Sequence, residues 1–266
     1  MTSAGMFDLT GKTALVTGGN SGLGLAFATG IARCGGDIVI WGRSADRNEE
    51  AAEQLRSHGV RVRCQQVDVA DEAQVVDGMA AAAREIGRLD CVIANAGSLT
   101  KPGAFHEMTT EQYDELLAVA QHGAFFTLRE ACRHMVDPDR AGEQGGSLIA
   151  TGSLSVLQGF PRIQHYAAAK SAVMGMMRGI AVEYGDRGIR ANMVAAGYFE
   201  TTLGDIDEAG LRERHAKFRG KTPMARNGGL QDLEGIAAYL MSDAASFHTG
   251  DVIVIDGGLS MGATAS

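Results

Sequence analysis

Strand-length runs of Val, Ile, Leu and Ala alternate with helix-period segments along the whole chain, and few folds accommodate that rhythm. The runs are Thr13 to Val16, Ile38 to Trp41, Val60 to Val67, Cys91 to Ala94, Ser147 to Thr151, Arg190 to Ala195 and Val252 to Ile255. Most are near-continuous rather than alternating, so neither face is left for water, as in parallel strands covered on both sides by crossover helices. Helical candidates fill the gaps: Leu23 to Arg33, Arg47 to Ser57, Glu72 to Ile86, Thr109 to Met135, Tyr166 to Arg187 and Leu230 to Ser242. The pattern predicts an α/β protein with a doubly wound, mostly parallel sheet of seven strands. Thr109 with Gln112 three later is a capping-box pattern that opens the long fourth helix. Phe199 to Thr222 fits no strand and is punctuated by Gly204 and Gly210, so it reads as a lid inserted over the carboxyl edge of the sheet.

At 266 residues, 45% of them hydrophobic, residues 1–266 are expected to form one domain around one large core. A net charge of −8 argues against a nucleic-acid surface. The four cysteines are scattered, without metal-ligand spacing, and read as reduced core residues; the histidines likewise form no metal pattern. No apolar run approaches the roughly 18 residues of a membrane helix, and the start carries no export pattern, so a cytoplasmic protein is expected. The small, polar tail from Gly262 to Ser266 reads as disordered.

Two stretches carry chemistry. The first strand runs directly into Thr17-Gly18-Gly19-Asn20-Ser21-Gly22-Leu23-Gly24 and then a helix. Glycines permit a tight turn and a close backbone approach, and the amides and dipole of the helix N-terminus attract a pyrophosphate, so a dinucleotide is expected there. The second stretch, Thr151 to Lys170, sets Ser153 thirteen positions before Tyr166 and Lys170 four positions after it. An i, i+4 pair on a helix stands on one face with Cβ atoms about 5–6 Å apart. A fixed cation beside a phenol favours the phenolate, so Tyr166 is expected to have a lowered pKa and to act as an acid or base near neutral pH. Ser153 ends a strand and can bond a substrate oxygen at the carboxyl edge.

From Gly11-Lys12 to Asp256-Gly257-Gly258 the chain resembles the short-chain dehydrogenase/reductase family, which implies the Rossmann fold. The resemblance is carried by the Thr17 to Gly24 loop, Asp68-Val69, Ala94-Asn95-Ala96-Gly97, Ser153, and Tyr166 with Lys170. It implies that Asp68 binds the adenine amino group and that Asn95 braces the central strands near the cofactor. It also implies that Tyr166 is the general acid/base and Ser153 orients the substrate oxygen, while Lys170 tunes the tyrosine and holds the nicotinamide ribose. Thr201, in Gly197-Tyr198-Phe199-Glu200-Thr201, matches the residue that bonds the nicotinamide carboxamide. Two positions depart from the family pattern. Ala196 replaces the usual proline before Gly197, and Ala120, three before Gly123, stands where the family has a catalytic asparagine.

The expected function is hydride transfer between a nicotinamide cofactor and a ketone or secondary alcohol. An NAD-dependent alcohol, sugar or polyol dehydrogenase and a non-catalytic dinucleotide sensor are the alternatives. The second strand ends in Gly42-Arg43 where an NAD enzyme would carry an acid, so NADP(H) is the expected cofactor and NAD the alternative. Arg212, Arg214, Lys217, Arg219 and Lys221 face only Glu213 within the lid. That surplus reads either as a solvated face or as a device that draws in an anionic substrate. Ser98, Leu154, Gln158 and Phe160 are the expected neighbours of the substrate. The helix of Tyr166 is apolar on more than one face, which implies a homo-oligomer; by the resemblance, a tetramer.

Overall fold

The computed structural model describes residues 5–97, 102–139, 145–201 and 208–262. Its strands are β1 (Thr13–Thr17), β2 (Asp37–Gly42), β3 (Val62–Gln66), β4 (Cys91–Ala94), β5 (Gly146–Ser153), β6 (Ile189–Ala196) and β7 (Val252–Ile255). They form one seven-stranded sheet in the order β3-β2-β1-β4-β5-β6-β7, with every neighbouring pair parallel. The helices are α1 (Gly22–Arg33), α2 (Ala45–Arg56), α3 (Glu72–Ile86), α4 (Thr110–Leu117), α5 (Gly123–Val136), α6 (Gln164–Tyr184), α7 (Glu208–Arg219) and α8 (Glu234–Met241). This is the doubly wound Rossmann architecture.

The continuous apolar runs have a direct cause. In β1, Ala14 and Val16 enter the core under α1, α2 and α8, while Leu15 enters the opposite core with α3, α5 and α6. In β2, Ile38 and Ile40 take the first side and Val39 and Trp41 the second. Side chains alternate as in any strand, but both faces are covered, so both sets must be apolar. The edge strand β3 escapes that demand. It is shorter than the expected Val60 to Val67 and keeps Arg63 and Gln66 in water.

Three expectations need correction. The helix expected from Thr109 to Met135 is interrupted by a π-helical segment, Ala118–His122, between α4 and α5; the capping box at its start is present. The helix expected over Leu230 to Ser242 begins as a 3-10 turn, Leu230–Leu233, and becomes α-helical only at Glu234. Cys91 and Cys132 are buried, but Cys34 and Cys64 are only half-buried; all four thiols are free. Within the expected lid, α7 forms a helix and Phe199 bridges to Gly228, while residues 202–207 lie outside the described residues, as do Ser98 and residues 263–266. Among the described residues, no helix is long and apolar enough to cross a membrane, and no group of three or more metal-ligating side chains occurs.

Candidate active site

The connections leave β1 and β4 in opposite directions across the sheet, which opens a crevice at their carboxyl ends. On one wall is the glycine-rich loop. Gly18 and Gly22 have φ of +62° and +52°, and a Cβ on Gly24 would lie 2.3 Å from the Gly18 carbonyl oxygen. Helix α1 starts there without help: Ser21 gives no side-chain cap and the first turn has no acid, whereas Ser44, Asp71 and Thr109 cap α2, α3 and α4. An uncapped, unneutralised helix N-terminus behind a backbone-lined turn fits a pyrophosphate. Leu23 anchors the turn in the core, and Thr201 reaches it from beyond β6, its methyl 3.8 Å from where a Gly22 Cβ would be.

Asn95, Ala96 and Gly97 close the crevice. The Asn95 side-chain amide donates to the Thr17 carbonyl (3.0 Å) and the Gly18 carbonyl (3.3 Å), and its oxygen accepts from the Thr151 hydroxyl (2.9 Å). Thr17 returns the contact, its hydroxyl oxygen accepting from the amides of Asn95 and Ala96, both at 2.9 Å. Asp68 turns its own loop by accepting from the Ala70 amide (3.0 Å), and Val69 packs where a Cβ on Gly123 would sit. Gly197, at the end of β6, lies so close to Asp256 that a Cβ would be 2.6 Å from its Cβ. Exposed Arg43 follows Gly42 and makes no ion pair among the described residues.

Ser153, Tyr166 and Lys170 converge on the far side of the crevice. Ser153 ends β5 opposite Ala196 of β6, and its hydroxyl accepts from the Ser155 amide (3.2 Å) and draws the Tyr166 pKa downward. Lys170 Nζ lies 5.8 Å from the Tyr166 ring centre and donates to the Thr151 carbonyl at 2.7 Å. It also lies 3.9 Å from where a Cβ on Gly97 would be, so it reaches toward the glycine side of the crevice.

The expected lowering of the tyrosine pKa is not what the protein gives. Burial pushes Tyr166 up, against a smaller downward pull from the Ser153 hydrogen bond, and burial brings Lys170 down to about 8. Desolvation disfavours the charged form of each group, phenolate in one and ammonium in the other. Tyr166 is therefore held as a phenol at neutral pH, and Lys170 loses its charge before the phenol does.

A family model described as enoyl-(acyl carrier protein) reductase matches residues 18–260. The chain belongs to the short-chain dehydrogenase/reductase family. It is 32% identical to gluconate 5-dehydrogenase of Gluconobacter oxydans (strain 621H), over 98% of this chain and 99% of that one. It is 34% identical to L-rhamnose 1-dehydrogenase (NAD(P)(+)) of Sphingomonas sp. (strain SKA58), over 94% and 97%. A solved gluconate 5-dehydrogenase from Burkholderia cenocepacia J2315, in complex with NADP and tartrate, superposes with a TM-score of 0.87 at 30% identity, covering 97% of this chain and 99% of that one. This short-chain dehydrogenase/reductase is thus an NAD(P)-dependent oxidoreductase.

Sequence reasoning passed over the Thr151 carbonyl, which no side-chain motif announces, and the hydroxyl of Thr17, hidden as the first letter of the glycine motif. It also left open what replaces the asparagine at Ala120. The structure places Ala120 in the π-helical segment, 1% exposed, in an apolar cluster with Leu116, Leu117, Ala169 and Tyr166. The Gly123 amide bonds the Ala118 carbonyl, five residues back, so the ladder is widened there and backbone carbonyls lose their α-helical partners. The proton path expected at this position therefore falls on the widened backbone rather than on the side chain of Ala120, which is a methyl group. Ala120→Asn is therefore expected to leave KM nearly unchanged and to hold or raise kcat, with His122→Ala close to wild type in steady-state kinetics. A collapse of kcat in His122→Ala with cofactor still bound would instead put a proton relay on that histidine.

Proposed function

We propose that the protein interconverts a ketone and a secondary alcohol of a small, carboxylate-bearing substrate with NADP(H), Tyr166 serving as the general acid/base. The observation that carries this reading is the convergence of Ser153, Tyr166 and buried Lys170 across the crevice from the glycine-rich loop. The nicotinamide, when bound, supplies or accepts the hydride. Ser153 holds the substrate oxygen beside the phenol, and Tyr166 gives that oxygen a proton as the carbonyl is reduced or removes it as the alcohol is oxidised. Lys170, held by the Thr151 carbonyl, stabilises the phenolate left after proton transfer and stands within reach of the ribose. Gly18, Asn20, Ser21, Gly22, Leu23 and Gly24 line the pyrophosphate side, Asp68 and Val69 the adenine, Asn95, Ala96 and Gly97 the floor, and Gly197 and Thr201 the nicotinamide end.

For the substrate, the support is charge. Arg214 is the half-buried basic residue of α7, its guanidinium 5.3 Å from the Tyr198 ring, which stacks on Phe218 at 4.1 Å. Tyr198 follows Gly197 directly, two residues past the strand position paired with Ser153. Arg214 has no acidic partner among the described residues, and gluconate and tartrate, named with the relatives, are both carboxylates. For assembly, the support is exposed apolar surface on α5 and α6: Phe125 is 41% and Val182 88% exposed.

Tyr166→Phe is expected to lower turnover by about 10²–10⁴-fold, the usual worth of a positioned acid/base, with NADPH affinity nearly intact. In the wild type, kcat/KM for ketone reduction should fall as pH rises through about 8, because Lys170 then loses the charge that supports the phenolate. Normal turnover in Tyr166→Phe would overturn the mechanism. Calorimetric titration reads the cofactor directly, and NADH binding as tight as NADPH would remove the NADP(H) assignment.

Arg214→Gln should raise KM for a hydroxy- or keto-acid by about tenfold or more, since a hydrogen bond to a charged group contributes about 1.5–3 kcal/mol. Neutral alcohols should be unaffected by the change. Equal KM values in wild type and variant across carboxylate substrates would leave the basic lid as a solvated face. The mass in solution, measured by light scattering, should be about four times the 27.9 kDa of one chain, and a monomer would contradict the oligomer.

A further inference from the structure

The carboxyl end of β2 meets the adenine ribose in this fold, and an acid there bonds a free 2′-hydroxyl. Here the position is Gly42, yet its backbone does not call for glycine, since it is absent from the positive-φ glycines. What requires glycine is space. A Cβ at residue 42 would lie 2.3 Å from Asn48 Oδ1, 2.4 Å from Asn20 Nδ2 and 3.0 Å from Asn20 Cγ.

Asn48, in the first turn of α2, is 1% exposed and fully engaged. Its Nδ2 donates to the carbonyls of Gly42 (3.0 Å) and Gln65 (3.3 Å), and its Oδ1 accepts from Asn20 Nδ2 (2.7 Å). Two carbonyl acceptors on one side fix which way the amide faces. The result is a clamp that ties the glycine-rich loop to the ends of β2 and β3. Swinging the amide aside for a new side chain would take a side-chain hydrogen bond from each of two backbone carbonyls.

We infer that Asn48 is the positioning residue that keeps position 42 free of a side chain, so that an acid placed there cannot reach the ribose while the clamp holds. The inference rests on the NADP(H) reading. With the clamp in place, Gly42 is buried under Asn20 and Asn48, and the next residue, Arg43, is exposed, its carbonyl held by Gln66 Nε2 at 2.9 Å. The space a side chain would take at 42 is filled by the two asparagines, so a 2′-phosphate would meet the Asn20 amide and the Arg43 cation with no acid beside them. Removing the Asn48 side-chain amide frees the Asn20 side chain, which lies in the loop rather than the core, to move outward.

Trp41, the chain's only tryptophan, is next to Gly42 and donates from Nε1 to Gln65 Oε1 at 2.5 Å, so its emission reports on the clamp without any cofactor. The test compares wild type, Gly42→Asp, Asn48→Ala and the double variant by calorimetric binding of NADH and NADPH and by Trp41 emission. Gly42→Asp alone should weaken NADPH about tenfold or more, gain nothing for NADH, and shift the emission. The double variant should bind NADH about tenfold or more tighter than Gly42→Asp, the scale of a charged hydrogen bond to a hydroxyl. Asn48→Ala alone should keep the preference for NADPH.

A Gly42→Asp protein that binds NADH tenfold tighter than wild type, with emission unchanged, would show that Asn48 excludes nothing. Should Gly42→Asp fail to fold, Gly42→Ala places the same Cβ, and its loss of thermal stability should shrink when Asn48→Ala is added; no such relief would equally refute the clamp. If wild type itself binds NADH as tightly as NADPH, the cofactor reading falls, while the single-against-double contrast in NADH affinity still decides the role of Asn48.

Discussion

The side-chain amide of Asn95 spans the crevice at the carboxyl ends of β1, β4 and β5. Strand order reverses between β1 and β4, so the loops beyond them diverge and their carbonyls would otherwise face an open crevice. Asn95 donates to the Thr17 and Gly18 carbonyls and accepts from Thr151, so the ends of β1, β4 and β5 are joined in one hydrogen-bonded knot. Thr151 in turn uses its carbonyl to hold Lys170. The glycine-rich loop and the tyrosine side of the crevice are thus referred to the same few atoms. In a partly buried setting such bonds act as a unit, because a partner lost from any of them leaves another polar group unsatisfied.

Lysine burial shows how that arrangement is directed toward chemistry. An ammonium 4% exposed and bonded to the Thr151 carbonyl is costly to keep charged, and its pKa comes down to about 8. The same apolar surroundings, Leu116, Leu117, Ala120 and Ala169, raise the tyrosine. The site therefore stores a phenol beside a lysine whose charge is weakly held. Any negative charge developing on the phenol oxygen would favour the charged lysine, and the interaction strengthens because water is excluded.

The interruption of the long fourth helix belongs to the same design. Ala120 brings a methyl where the family has an asparagine, and a π-helical segment surrounds it. Close packing surrounds the widened turn: Gly123 fits against Val69 with no room for a Cβ, and Leu116, Leu117 and Ala120 pack on the helix of Tyr166.

Sequence alone determined the architecture. Alternating strand-length apolar runs and helix-period segments admit few arrangements, and the covered parallel sheet follows from their continuity. The glycine-rich loop, Ser153, Tyr166 and Lys170 were legible because each depends on spacing along one strand, turn or helix. Tertiary structure decided what lies between elements distant in the chain. Asn48 meets Gly42 and Gln65, Thr151 meets Lys170 and Asn95, and Arg214 meets Tyr198, and none of these pairs has a spacing that announces it. The direction of the pKa shifts was likewise beyond the sequence. A neighbouring cation can be read from an i, i+4 spacing, but the desolvation that outweighs it depends on how much of the surrounding volume other elements fill.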